Sequence, residues 1–150
     1  MLRINVFHAG GDRAVPQPVI LSIHPYGKDD LPTRRGNKTT FSTQYRVIRQ
    51  PQPVAFSTRT GWEAPDPAGW TVHGFVVVNA DSRGCGHSDG TGKLTVSQEA
   101  EDTYDLAQWI AGQRCSDGDV VMLGVSRLTG PRRRSARSRR PCPPRPRRRR

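Results

Sequence analysis

Along the first 130 residues the apolar positions gather into short unbroken runs. Pro18-Val19-Ile20-Leu21-Ser22-Ile23 and Phe75-Val76-Val77-Val78-Asn79-Ala80 are rich in β-branched side chains, and Val120-Val121-Met122-Leu123-Gly124-Val125 is a third run of this kind. Such runs predict strands buried on both faces. Leu2-Arg3-Ile4-Asn5-Val6-Phe7 reads as a further strand at the start of the chain.

Between the second and third runs the pattern becomes helical. Thr103, Leu106, Ala107 and Ile110 fall on one face at spacings of three and four, while Glu101, Asp105 and Gln108 turn elsewhere. Thr95 or Ser97 is the expected cap; Glu99, Glu101 and Asp102 are expected in the first turn, where the helix dipole favours negative charge, and Gly112 ends the element. Strand, helix and strand in this order predict a right-handed parallel crossover and therefore an α/β sheet with helices on its faces.

Residues 28–72 interrupt the alternation. They hold the turn signals Asp29-Asp30, Arg35-Gly36-Asn37 and Pro65-Asp66-Pro67 together with Phe41, Tyr45, Phe56, Trp62 and Trp70. A connection of this length inside a compact domain is usually functional when ordered, and it is expected to pack near the mouth of a site.

Charge divides the chain near Gly130. Residues 131–150 contain eleven Arg, five Pro and no acid, which leaves 13 basic and 13 acidic residues in the body and places the whole net charge of +11 in the tail. A tail so rich in like charge and so poor in apolar surface is expected to be disordered in isolation. Two units follow: 1–130, folded, and 131–150, a basic tail. Cys85, Cys115 and Cys142 are widely spaced, without a C-x-x-C pair, so neither a zinc site nor a disulfide framework is signalled. No apolar signal region opens the chain and no run approaches the ~20 apolar residues of a spanning helix, so a cytoplasmic protein without a membrane partner is expected.

Three segments carry candidate chemistry. Ser126 follows the third apolar run, two residues after Gly124, where a nucleophile elbow would place it; the strict G-x-S-x-G pattern fails because Leu128 holds the last glycine position. The segment Ser22-Ile23-His24-Pro25-Tyr26-Gly27-Lys28 follows the first buried run, the place from which α/β-hydrolases supply an oxyanion donor, so Tyr26 offers either its hydroxyl or simply a packed aromatic turn; His24 is read as structural. Asp81-Ser82-Arg83-Gly84-Cys85-Gly86-His87-Ser88-Asp89-Gly90 follows the second run. It lacks the Lys-Ser/Thr ending of a P-loop, and Asp81, Cys85 and His87 match no common metal spacing, so it is read as a structural loop pinned by a network around Asp81 and Arg83. No cofactor or metal is expected.

In order, the blocks His24-Pro25-Tyr26-Gly27-Lys28-Asp29, Gly61-Trp62-Glu63-Ala64-Pro65-Asp66-Pro67, Asn79-Ala80-Asp81-Ser82-Arg83-Gly84-Cys85-Gly86, Glu99-Ala100-Glu101-Asp102-Thr103-Tyr104-Asp105 and Gly124-Val125-Ser126 resemble the N-terminal part of the Xaa-Pro dipeptidyl-peptidase and cocaine esterase (CocE/NonD) family of α/β-hydrolases. The resemblance implies the first half of an α/β-hydrolase sheet and cleavage of a small ester or peptide through an acyl-serine. It assigns the nucleophile to Ser126, an oxyanion donor to Tyr26 and the second donor to the backbone N–H of Arg127.

After Ser126 the chain departs from the family. Arg127-Leu128-Thr129-Gly130-Pro131-Arg132 stands where relatives have a tyrosine and a small-residue helix, and the switch to Arg, Pro and Ser suggests a shifted reading frame. Relatives supply the triad Asp and His later in the domain; His8, His24, His73 and His87 all precede the serine, so the chain is expected to be truncated and inactive alone. Its third strand would then be left as an apolar edge, with poor solubility. The rival reading is a non-enzymatic fragment whose arginine-rich residues 131–150 bind nucleic acid or another polyanion non-specifically.

Overall fold

The computed structural model describes residues 1–10, 15–31, 33–35, 38–39, 51–52, 56–61, 63–92 and 96–124. In chain order the elements are β1 (Ile4–Phe7), β2 (Gln17–His24), β3 (Arg34–Arg35), β4 (Lys38–Thr39), α1 (Pro67–Thr71), β5 (Val76–Asp81), α2 (Val96–Ala111) and β6 (Ser116–Met122). Four strands form one mixed sheet in the order β1-β5-β2-β6, and β3 and β4 make a separate antiparallel pair. The expected parallel crossover is present: β5 leads through α2 to β6, with β2 lying between and parallel to both. The N-terminal strand-like segment pairs antiparallel on the far side of β5.

The sheet's core follows from strand alternation. Val19 and Leu21 of β2 and Val76, Val78 and Ala80 of β5 share one face and pack with Leu106 and Ile110 of α2. Their neighbours at alternate positions, Ser22 and His24 on β2 and Asn79 and Asp81 on β5, are equally buried but polar, and they face the other side. Register pairs Ser22 with Asn79 and His24 with Asp81.

Three expectations need correction. The third strand runs from Ser116 to Met122 instead of over residues 120–125, and most of it is exposed because among the described residues it pairs with β2 alone. Its early start has a local cause: Pro18 has no N–H to donate, and the register shifts between Gln17 and Val19 while Asp117, Gly118 and Asp119 intervene between their partners Ser116 and Val120. The helix begins at Val96, so Ser97 sits inside the first turn and is no cap, whereas Thr95 lies outside the described residues. Glu99 is the acidic residue of that first turn, and Asp102 is buried further along.

Part of the long connection is ordered by its turn chemistry. Asp66 caps α1 by accepting from the Ala68 N–H at 3.1 Å, with Pro67 at the first helical turn, where its missing N–H costs nothing. The Asp66 carboxylate also takes the Ser57 N–H at 2.7 Å and the Ser57 hydroxyl at 2.6 Å, tying α1 back to the preceding turn. Among the described residues no helix is long and apolar enough to cross a membrane.

Candidate active site

Parallel strands carry their functional loops at their carboxyl ends, and here three such ends line up. β2 ends at His24 and delivers Pro25-Tyr26-Gly27; β5 ends at Asp81 and delivers residues 82–90; β6 ends at Met122 and continues to Leu123 and Gly124. The Leu123 N–H still donates to the Leu21 carbonyl at 3.0 Å, so the strand leading toward Ser126 lies directly beside the strand that carries Tyr26. Ser126 and Arg127 themselves lie outside the described residues.

Tyr26 is half-buried, and its ring lies 6.2 Å from that of His24 with the planes 22° apart. His24 is fully buried, and neither ring nitrogen has a hydrogen-bond partner; Ser22 Oγ and Asn79 Oδ1 beside it share this state. Burial pushes the His24 imidazole below its ordinary range, opposed in part by the charge of Asp81. A buried neutral imidazole on the enclosed face fits the structural role expected for it.

Residues 82–90 are held as a loop pinned by Asp81, as expected, whereas Arg83 turns away to the helix. The buried Asp81 carboxylate accepts the His87 N–H at 2.9 Å and the Lys28 N–H at 2.6 Å, and the Asp81 carbonyl accepts from the Ser88 hydroxyl at 2.8 Å. Arg83 instead forks onto Asp102 of α2, with Nε at 2.9 Å from Oδ2 and Nη2 on the other oxygen. Gly86 is required by this arrangement, since it has φ +52° and a Cβ there would collide with the Asp81 carboxylate.

A polar cluster at the rim was missed by sequence reasoning. Asp29 accepts from Lys28 Nζ and from Asn5 Nδ2, the latter at 2.7 Å, and lies 3.2 Å from His87 Nδ1. The bond from Lys28, then the bond from Asn5, holds Asp29 below the usual carboxylate range. No local signal in the sequence joins these residues, since Asn5, Asp29 and His87 lie 24 and 58 positions apart along the chain.

An open groove of about 450 Å³ is lined by Val6, Phe7, His8, Arg59, Pro67, Ala68 and Thr71. Phe7 pairs with Val77 near the start of β5, so this groove opens at the opposite edge of the sheet from Tyr26 and Gly124. The long connection therefore packs α1 away from the site mouth, although Gly61 approaches the Lys28 carbonyl. Asp81, Cys85 and His87 do not converge on a metal site, and among the described residues no cluster of three such ligands exists.

A mixed sheet with a covering helix and loops gathered at the parallel carboxyl ends defines an α/β protein. The profile of the X-Pro dipeptidyl-peptidase (S15) family matches residues 2–130, and the chain belongs to that family of hydrolases. Two solved structures of a CocE/NonD family hydrolase from Staphylococcus aureus superpose on it with TM-scores of 0.69 and 0.68, at 32% and 30% identity over 85% of this chain. An uncharacterised 31.7 kDa Escherichia coli protein encoded between traX and finO is 34% identical over 70 residues, 46% of this chain and 24% of its own. The chain spans 21% of the length of the S. aureus hydrolase in both structures.

Proposed function

We propose that the chain carries the nucleophile-bearing part of a serine hydrolase that cleaves a small ester or peptide. Ser126 Oγ, giving its proton to a base, attacks the acyl carbon and forms a tetrahedral adduct whose oxyanion is received by the Tyr26 hydroxyl and the Arg127 N–H, and which becomes the acyl-serine as the leaving group departs. The C–O or C–N bond then breaks, the alcohol or amine leaves with a proton, and water hydrolyses the acyl-serine to the free acid. The observation that carries this reading is the direct pairing of β6 with β2, which makes the serine strand and the tyrosine strand neighbours at one edge.

The attack needs a base for the serine proton. His24 is fully buried without a hydrogen-bond partner, and His87 Nδ1 lies 3.2 Å from Asp29 Oδ2. All four histidines, His8, His24, His73 and His87, precede Ser126, whereas the resemblance supplies the base after it, so our reading is that this chain alone turns over no substrate. The test is peptide mapping of the full chain after treatment with a serine-directed phosphonate, with imidazole added as external base. The expected result is no turnover of activated esters or Xaa-Pro anilides without imidazole, and with it an adduct on Ser126 that is absent from Ser126→Ala. A folded chain that forms no adduct, or one that persists in Ser126→Ala, overturns the reading. Turnover without imidazole overturns the claim of inactivity.

A further inference from the structure

The turn that presents Tyr26 is fastened at both ends to Asp81 and Ser82, where β5 ends. On the entry side, the His24 carbonyl accepts the Ser82 N–H at 3.0 Å. On the exit side, the Lys28 N–H donates to Asp81 Oδ1 at 2.6 Å. Between these anchors Gly27 has φ +89° and its carbonyl accepts the Asp30 N–H at 3.1 Å, so the chain reverses immediately after Tyr26. The second oxygen of the same carboxylate takes the His87 N–H, and Lys28 Nζ lies 3.9 Å from it. One fully buried anion thus ties the tyrosine turn to the loop beyond β5.

We infer that Asp81 is the positioning residue of the oxyanion tyrosine, setting the Tyr26 hydroxyl through the Lys28 N–H that its carboxylate holds. This rests on the acyl-transfer reading for the role of Tyr26, but the clamp itself does not. Charge-assisted bonds to a buried carboxylate are short and strong, and no water competes for them. An asparagine of the same shape keeps one acceptor oxygen, which the Oδ2 place claims because the His87 N–H and Lys28 Nζ both face it, so its NH2 group meets the Lys28 N–H and releases the tyrosine turn.

The test has one arm independent of activity and one that uses it. In the unmutated full chain, NMR scalar couplings across hydrogen bonds are expected from both the Lys28 and His87 amide nitrogens to the Asp81 carboxyl carbon. Absence of the Lys28 coupling in a folded sample overturns the inference even if Asp81→Asn does not fold. In the imidazole-supported labelling of Ser126, Tyr26→Phe and Asp81→Asn are each expected to slow adduct formation by ~10²-fold, the cost of one oxyanion donor, and the double variant to be no slower than the worse single. Additive losses, or an unchanged rate in Asp81→Asn beside a slowed Tyr26→Phe, overturn the inference. If the unmutated chain forms no adduct while the couplings are present, the acyl-transfer reading fails and the clamp stands as a structural device without the catalytic role inferred for it.

Discussion

His24 is a base whose proton affinity folding lowers. Its imidazole is enclosed, both ring nitrogens lack partners and burial lowers its proton affinity, while the neighbouring Asp81 pulls weakly the other way. The unfolded chain therefore binds a proton below about pH 6.5 more readily than the folded chain does, and stability from this residue is full above that pH and declines as pH falls through the lowered folded value. The melting temperature is expected to drop between pH 7 and pH 5, and His24→Phe, which keeps a ring but cannot titrate, is expected to flatten that slope. Equal slopes in thermal scans of the two proteins would refute this account. At this scale the structural role of His24 was legible from its place after an apolar run, whereas the bonding of Asp81 to backbone in two loops was not, because its partners lie six residues away in one direction and 53 in the other.

The helix α2 and the sheet stabilise each other through a narrow stripe. Leu106 and Ile110 meet Val19, Leu21, Val76 and Val78, and one turn before Leu106 the buried Asp102 holds Arg83. Ile110→Ala removes a fully buried side chain from this contact and is expected to cost about 3 kcal/mol, with incomplete collapse of the cavity adding to the transfer loss. Trp109→Ala, one residue away on the half-exposed side, is expected to stay within about 0.5 kcal/mol. Urea denaturation with a shared m-value distinguishes the two. The helical face was readable because burial imposes the 3.6 period on sequence. Its start was not, since capping depends on backbone dihedrals that Ser97 and Thr95 allow equally well.

For the molecule as a whole, the outer edge of β6 is the exposed liability. Val121 is 53% and Met122 49% exposed, and among the described residues no strand pairs on that side. Unpaired backbone beside exposed apolar side chains recruits further strands. Sedimentation velocity is expected to show concentration-dependent self-association that Val121→Lys reduces, because a charge on an edge strand opposes strand addition; a monomer at all concentrations in the unmutated chain would contradict this.

Local chemistry written into the sequence determined the three parallel strands, the helix between the last two, the turn at Pro65-Asp66-Pro67 and the family, because apolar period, turn residues and motif order are properties of neighbours along the chain. Tertiary structure alone decided the rest. The antiparallel seat of β1 beside β5, the insertion of β2 between β5 and β6, and the separate destinations of Asp81 and Arg83 all depend on contacts between residues distant in sequence. No short-range pattern encodes which strand edge or which backbone N–H will be within reach once the chain has closed on itself.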